Sequence, residues 1–290
     1  MLNIELSDLV FFQAVAHHGG ITHASKKLHC VPSNVSTRIK QLESRLEASL
    51  FIREGKALRL SAQGRSLLVY ADRLIALATE AQESMASSEP QGVFRLGSMD
   101  SLAATRLPTS LASYHQAYPK VKIELTLGST KRLTDLVLAG ELEAAVIAEP
   151  PADDRLCRQA FTKETLIMVA PANARPIKRP ADIAGRSVIA FPSGCAFRER
   201  LEAWFVSAGL PLPRVIELTS YHAILGCVAA GMGVAYVPQV VLDGFADNGS
   251  LSRHRVPTKW SNIETALIWR DGTESARLRG FARTLKGRSK

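Results

Sequence analysis

From Val31 to Phe51, the apolar residues Val35, Ile39, Leu42 and Leu46 recur at intervals of four, three and four. At about 100° per residue they form a single apolar stripe. Ser33, Thr37, Lys40 and Ser44 fall opposite, with Asn34, Ser36, Arg38 and Gln41 on the flanks. The spacing predicts an amphipathic helix whose outer face is cationic and can donate and accept hydrogen bonds. Those are the properties needed to enter a DNA major groove and read base edges. Upstream, Ser7 to His17 predicts a helix with Ser7 as N-cap and Leu9, Phe12, Val15 and Ala16 at helical spacing. Gly19-Gly20 stops it. Thr22 to His29 predicts a short second helix with Ala24 and Leu28 inward, and Pro32 suits the first turn of the third. Two short helices joined by a few residues, the second polar outside, make the helix-turn-helix pattern.

The pattern then changes period. Within Phe51 to Ser61, Gly55 supports a turn and Ala57 to Leu60 a short strand. Arg53, Lys56 and Arg59 surround that turn, as suits a wing resting on phosphates. Ala62 to Met85 predicts one long helix. Its Leu67, Ala71, Leu74, Ala78, Ala81 and Met85 alternate at four and three in a heptad-like seam. Ser87 to Gly92 is rich in helix-ending residues and predicts a hinge. Beyond it strands and helices alternate. Strands are predicted at 93–97, 121–127, 144–148, 166–170, 188–191, 214–218, 234–237 and 265–269. Helices are predicted at 101–117, 130–139, 196–208, 221–230 and 274–285. Such alternation implies an α/β class with parallel sheets and helices on both faces. The domains expected are 1–61, 62–90 and 91–290. The last divides into one lobe of about 91–163 plus 265–290 and another of about 164–264.

Composition narrows the partners. In a chain of 290 residues, 46% hydrophobic and 22% charged positions describe a globular protein large enough for more than one core. The net charge of +9 favours an anionic partner. It is concentrated between Gly19 and Ser66, where nine lysines and arginines face three glutamates. Cys30, Cys157, Cys195 and Cys227 are scattered, with no C-x-x-C pair to suggest zinc or a disulfide framework. His17, His18, His23 and His29 fall on differing helix faces, so no metal site is expected. No P-loop, GxSxG, HExxH or strand-linked GxGxxG stretch occurs, and Gly231-x-Gly233 alone is weak, so neither an enzyme nor a bound cofactor is expected. The first residues lack a signal-peptide pattern, and no apolar run reaches membrane-spanning length. A cytoplasmic location with reduced thiols is the expectation. A solute-binding protein would suit the C-terminal two-thirds, but the basic N-terminal segment and the missing export signal argue against it.

The stretch ITHASKKLHCVPSNVSTRIKQLESRLEASLFIREGKALRLSAQG resembles the winged helix-turn-helix of LysR-type transcriptional regulators. The match runs without a gap through Ala24, Leu28, Val35, Ser36, Ile39, Leu42-Glu43, Leu46, Leu50-Phe51, Arg53, Leu60-Ser61 and Gly64. Ser25, Pro32 and Glu47 depart from it, standing where the family often has alanine, glutamine and a helix-ending glycine. The resemblance implies a sequence-specific regulator with double-stranded operator DNA as partner. It implies a homodimer formed by the long linker helix, and pairing of dimers into tetramers. It also implies two Rossmann-like lobes, similar to periplasmic binding proteins, with a small-molecule effector between them. Ser33, Asn34, Ser36, Thr37, Arg38 and Lys40 are the expected base and phosphate contacts, with Arg53 and Lys56 on the wing.

Effectors of open α/β sheets bind beyond the carboxyl ends of strands. Three junctions there combine small hydroxyl residues with the opening of a helix, where free amides can hold anionic groups. They supply Ser98, Met99, Asp100 and Ser101; Ser129 and Thr130; and Ser193, Gly194 and Cys195. Tyr221 and Met232 are candidates for further walls. Asp100 repels a simple anion and attracts an amine, so the expected ligand is a small polar metabolite carrying both amine and carboxylate. Cys195 opens a predicted helix, a position that can lower a thiol pKa and permit redox sensing. A packed thiol without redox role is the preferred reading.

Overall fold

The computed structural model describes residues 4–54, 57–86 and 89–286. Gly55, Lys56 and the hinge residues Ser87 and Ser88 lie outside the described residues. The chain falls into two compact units, Met1–Ser87 and Ser88–Lys290.

In the smaller unit, helices α1 (Leu6–His18), α2 (Ile21–Lys27) and α3 (Pro32–Leu46) precede strands β1 (Phe51–Glu54) and β2 (Ala57–Leu60), then helix α4 (Ala62–Ala86). The stripe of α3 does what its spacing requires. Val35, Ile39 and Leu42 are buried with Leu9, Phe12 and Val15 of α1 and Ala24 of α2 in one core. Ser25 packs in this core too, its hydroxyl donating to the Thr22 carbonyl at 3.0 Å. β1 and β2 pair antiparallel, with Phe51 opposite Leu60 and Arg53 opposite Leu58.

Two devices fix the turn between α3 and the strands. The Glu43 carboxylate accepts the amides of Leu50 at 2.7 Å and Phe51 at 3.2 Å. Ser61 caps α4, accepting the Gly64 amide at 2.9 Å while donating to the Ser49 carbonyl at 2.6 Å. Gly64 is required there, because a Cβ would stand 2.1 Å from the Leu50 carbonyl oxygen. Glu47 ends α3 in the left-handed conformation, with φ at 49°. The turn therefore keeps the geometry a glycine would give, with a side chain that finds it costly.

α4 carries two apolar faces, which revises the expected seam. Leu67, Leu68, Ala71 and Ile75 pack on the core of the unit, and Asp72 accepts a hydrogen bond from Gln13 of α1 at 2.7 Å. Tyr70, Leu74 and Leu77 are exposed, as is Ala81. The expected seam mixed the two, because Leu67 and Ala71 lie on the inward side of a stripe whose outward side continues through Leu74 and Ala81. Tyr70, Leu74, Leu77 and Ala81 instead follow one another at intervals of four, three and four on the outer side.

The larger unit contains β3 (Gly92–Ser98), α5 (Asp100–Thr105), α6 (Pro108–Ala117), β4 (Val121–Leu127), α7 (Thr130–Ala139), β5 (Ala144–Ala148) and β6 (Leu156–Pro171). It continues with β7 (Val188–Ala190), α8 (Ala196–Ser207), β8 (Val215–Glu217), α9 (Tyr221–Ala229), β9 (Val234–Pro238) and α10 (Gln239–Asp243). β10 (Leu251–Arg255), α11 (Thr258–Ser261), β11 (Asn262–Arg270) and α12 (Ala276–Lys286) complete it. The strands run in the order β4-β3-β5-β11-β6-β9-β7-β8, with β10 also on β6.

The expectation of parallel sheets holds only within each half. β3 pairs parallel with β4 and β5, and β7 with β8 and β9. β11 pairs antiparallel with β5 and β6, and β6 antiparallel with β9 and β10. The 16-residue β6 serves both halves: its 156–165 portion pairs with β11, and Leu166–Val169 pairs with β9. The helix expected over 101–117 is two helices, because Pro108 lacks an amide hydrogen and its ring collides with the preceding turn. A trio of rings at 5.5–5.6 Å, Phe94, Tyr114 and Phe281, docks α12 against β3 and α6.

The strain at Glu47 is testable. Glu47→Gly is expected to stabilise the protein by about 0.5–1 kcal/mol and raise the thermal midpoint of the smaller unit. A lower midpoint would show that the glutamate holds the turn by contacts that outweigh its backbone cost.

Candidate functional site

Of the residues expected to touch DNA, Ser33, Asn34, Thr37 and Lys40 are exposed on α3, and Ser36 is half-buried. They cover the face opposite the Val35–Ile39–Leu42 stripe. Arg53 sits on β1 at the start of the wing hairpin. Arg38 has a different setting. Its guanidinium donates to the Asp8 carboxylate of α1 at 3.0 Å and lies 5.6 Å from the centroid of the Phe11 ring.

A second site occupies the larger unit. A cavity of about 330 Å³ opens where the carboxyl ends of β3 and β4 meet the segments after β7 and β8. It gathers Met99, Asp100, Ser101, Ser129, Ser193, Cys195 and Tyr221. Ser98, Thr130, Gly194 and Met232 do not line it. Ser98 is fully buried, its hydroxyl donating to the Met99 carbonyl at 3.0 Å. Thr130 donates to the Ala148 carbonyl at 3.1 Å and so ties α7 to β5. Gly194 holds the two sides together, its carbonyl accepting the Lys131 amide at 3.4 Å. Met232 is exposed elsewhere on the surface.

The cavity also contains residues that sequence reasoning missed: Leu127, Arg132, Phe191 and Thr219. Arg132 follows the Ser129 cap by three residues, and its amide bonds to the Ser129 hydroxyl at 3.4 Å. A cation in the first turn after a strand-end Gly-Ser-Thr was the available signal. Asp100 and Arg132 thus place opposite charges in one cavity. Apolar side chains share the lining: Met99, Leu127 and the Phe191–Tyr221 ring pair at 4.7 Å. Tyr221 is buried, which pushes its phenol well above its ordinary pKa and keeps it a hydrogen-bond donor. Burial also pushes the Cys195 thiol up, against the pull of the Arg198 and Phe197 amides at the start of α8. The lowered thiol pKa considered from its helix position is therefore corrected: desolvation outweighs the helix amides. All four cysteines are free, and no metal-binding group occurs among the described residues.

Ion pairs bridge the two sides near the cavity. Arg106, at the end of α5, grips the buried Glu164 of β6 at 2.6 Å. Arg200 of α8 pairs with Glu149 beyond β5, donates to the Trp260 carbonyl at 3.1 Å and also bonds the Asn262 carbonyl. Glu149 is left-handed at φ 48°. Burial pushes its carboxyl up, and Arg200 pulls it down.

Comparison with known proteins settles the family. Residues 6–65 match the bacterial regulatory helix-turn-helix protein, lysR family, and residues 87–290 match the LysR substrate binding domain. The chain belongs to the LysR family of transcriptional regulators. Among its LysR relatives, the HTH-type transcriptional regulator YusT of Bacillus subtilis (strain 168) is 36% identical over 280 residues, covering 96% of this chain and 94% of that protein. The regulator CzcR of Bacillus thuringiensis subsp. konkukian is 34% identical over 285 residues, covering 98% and 97%. Two solved structures share the fold. A full-length OxyR variant from Pseudomonas aeruginosa has a TM-score of 0.71 at 21% identity, covering 98% of this chain and 95% of that one. CbnR in complex with its target DNA has a TM-score of 0.69 at 22% identity, covering 98% and 99%. The chain is thus a DNA-binding regulator with an effector-binding domain, and not an enzyme. Among the described residues, no helix is long and apolar enough to cross a membrane.

The state of Cys195 has a pH signature. The thiolate is the reactive form, so a raised pKa leaves less of it at every pH. In a variant keeping Cys195 alone (C30S/C157S/C227S), the iodoacetamide rate is expected to be slow at pH 8. Its rise is expected at higher pH than for free cysteine. A rise below that of free cysteine would reinstate the thiol as a reactive group.

Proposed function

We propose that this regulator is controlled by a small polar metabolite held in the Asp100–Arg132 cavity, and that it acts in the cytoplasm as a homodimer joined through α4, with dimers pairing into tetramers. One observation carries the effector reading: an acidic and a basic side chain share a cavity of about 330 Å³ with hydroxyls and apolar walls. Asp100 suits an amine and Arg132 a carboxylate. Met99, Leu127 and Phe191 suit an apolar body between them, and Ser101, Ser129, Ser193 and Tyr221 offer hydrogen bonds that orient it. The thiol-sensing alternative is not favoured, because Cys195 is buried and its pKa is raised.

The DNA contacts follow the exposed face of α3. Ser33, Asn34, Ser36 and Thr37 suit base edges and sugar-phosphate oxygens, and Lys40 a phosphate. Arg53 and Lys56 are proposed as further phosphate contacts. Pro32 brings no side-chain donor where relatives often carry a glutamine, so base preference at that point differs. An effector that binds one arrangement of the two halves more tightly shifts the population toward it. The bridges Arg106–Glu164 and Arg200–Glu149 are where such a shift would be resisted or released.

Calorimetry of the full-length protein against amino acids, simple amines and aromatic acids tests the effector reading. A ligand with both amine and carboxylate is expected to bind, and Asp100→Ala and Arg132→Ala each to weaken it at least about tenfold. Tight binding of a simple dianion, indifferent to Asp100→Ala, would contradict it.

The dimer reading rests on the outer seam of α4, Tyr70, Leu74, Leu77 and Ala81. In sedimentation velocity, L74E/L77E is expected to be monomeric with its circular dichroism retained, since these side chains lie outside the core of their own unit. An unchanged sedimentation coefficient would move the dimer contact elsewhere.

A further inference from the structure

The carboxylate of Asp8 has no exposed surface. It lies on α1, 30 residues before Arg38, and receives two arginines of α3. Arg38 Nη1 approaches one oxygen at 3.0 Å, and Arg45 bonds the other. Glu5 extends the cluster from one turn earlier, meeting Arg45 at 3.2 Å and Arg38 at 3.9 Å. Phe11 on the same helix lies 5.6 Å from the Arg38 guanidinium. Arg45 further donates to the Gln41 carbonyl of its own helix at 3.4 Å. Asp8 and Phe11 of α1, with Glu5 just before it, thus hold both arginines of α3.

This placement separates the arginines from the rest of the polar surface of α3. Ser33, Asn34, Thr37 and Lys40 are exposed, whereas Arg38 and Arg45 are half-buried. A buried carboxylate must be matched by fixed opposite charge, and removing one partner leaves charge uncompensated in the interior. The apolar stripe fixes which side of α3 faces inward. It constrains rotation and sliding along α1 less strictly, because apolar contact is non-directional. Two guanidiniums on the two oxygens of one carboxylate supply that direction.

We infer that Arg38 and Arg45 are positioning residues, which lock α3 on α1 through the buried Asp8 and so set the pitch at which Ser33, Asn34, Thr37 and Lys40 meet DNA. The inference rests on the reading of that exposed face as the DNA-contacting one. It reassigns Arg38, whose type and position in the sequence suit a direct contact.

Salt dependence separates a positioning role from a contact. Removing one phosphate contact reduces the slope of log affinity against log salt by about 0.9. Full-length protein is titrated against a labelled duplex from upstream of its own gene, at several salt concentrations. R38A is expected to bind about tenfold more weakly with the wild-type slope. R38K keeps the charge but lacks the planar fork, and is expected to be weakened likewise. D8N removes a negative charge, which by electrostatics alone strengthens DNA binding. Here it is expected to weaken binding, because the arginines lose their anchor. K40A is expected to lower the slope by about one per protomer, and its result bears on the exposed-face reading separately.

A slope reduced by about one per protomer in R38A, or wild-type affinity in R38K, would overturn the inference and make Arg38 a phosphate contact. Tighter binding by D8N would overturn it too. Should D8N fail to fold by circular dichroism, the two Arg38 variants decide the question alone, since that side chain is partly exposed and Arg45 still pairs with the Asp8 carboxylate in its absence.

Discussion

One strand, β6, belongs to both halves of the larger unit, and the Asp100–Arg132 cavity opens between the segments that this strand joins. Its 156–165 portion pairs with β11, with a bulge at Phe161, and its next four residues pair with β9. A single unbroken strand thus joins the two halves. The parallel strands on either side then point their carboxyl ends toward a common space, where open α/β sheets bind ligands. Because the chain crosses on β6 and β11, a few side chains near the crossing hold the present arrangement. Glu164 lies on β6 itself, buried under Arg106, and Arg200 reaches Glu149 and the backbone before β11. These bonds are directional and few. A ligand shifts the balance between two arrangements only as far as its affinities for them differ.

The smaller unit divides its labour by residue type. Apolar residues of α3 bury, arginines bind to α1, and small hydroxyl and amide side chains with one lysine stay exposed. α4 divides its labour by face. Its inner face completes the core with Leu67, Leu68, Ala71 and Ile75, and its outer face leaves Tyr70, Leu74 and Leu77 uncovered. A helix apolar on two sides serves two packings at once, one already made within its own unit and one available to a second chain.

Much of this was legible in the sequence, for a physical reason that also marks its limit. The stripe of α3, the stops at Gly19-Gly20 and the alternation of Val121 to Leu127 are local signals, written in the elements they specify. The first half of β6, with its polar run Arg158, Gln159, Thr162, Lys163 and Glu164, was not legible as strand, because pairing with β11 rather than burial holds it there. β10, with Arg253, His254 and Arg255, escaped for the same reason. The seam of α4 was read as one stripe because periodicity cannot say which side of a helix its own domain will cover. At the cavity, strand-end glycines and hydroxyls marked where chain segments converge. Arg132, Phe191 and Thr219 depend on how the segments pack, as does the burial that raises the pKa of Cys195. The pairing of Arg38 with Asp8 was not legible, because the two lie 30 residues apart on different helices.

The DNA contacts proposed for this protein lie on the outer face of α3, through its exposed polar side chains and phosphate-directed cations. The most direct test is the affinity of the wild-type protein for DNA from upstream of its own gene, measured by fluorescence anisotropy across a salt series. Binding is expected to be tight at about 50 mM salt and to fall by about a thousandfold or more by about 200 mM, as several phosphate contacts on a dimer require. No binding at the lower salt, or an affinity that barely changes with salt, would contradict it.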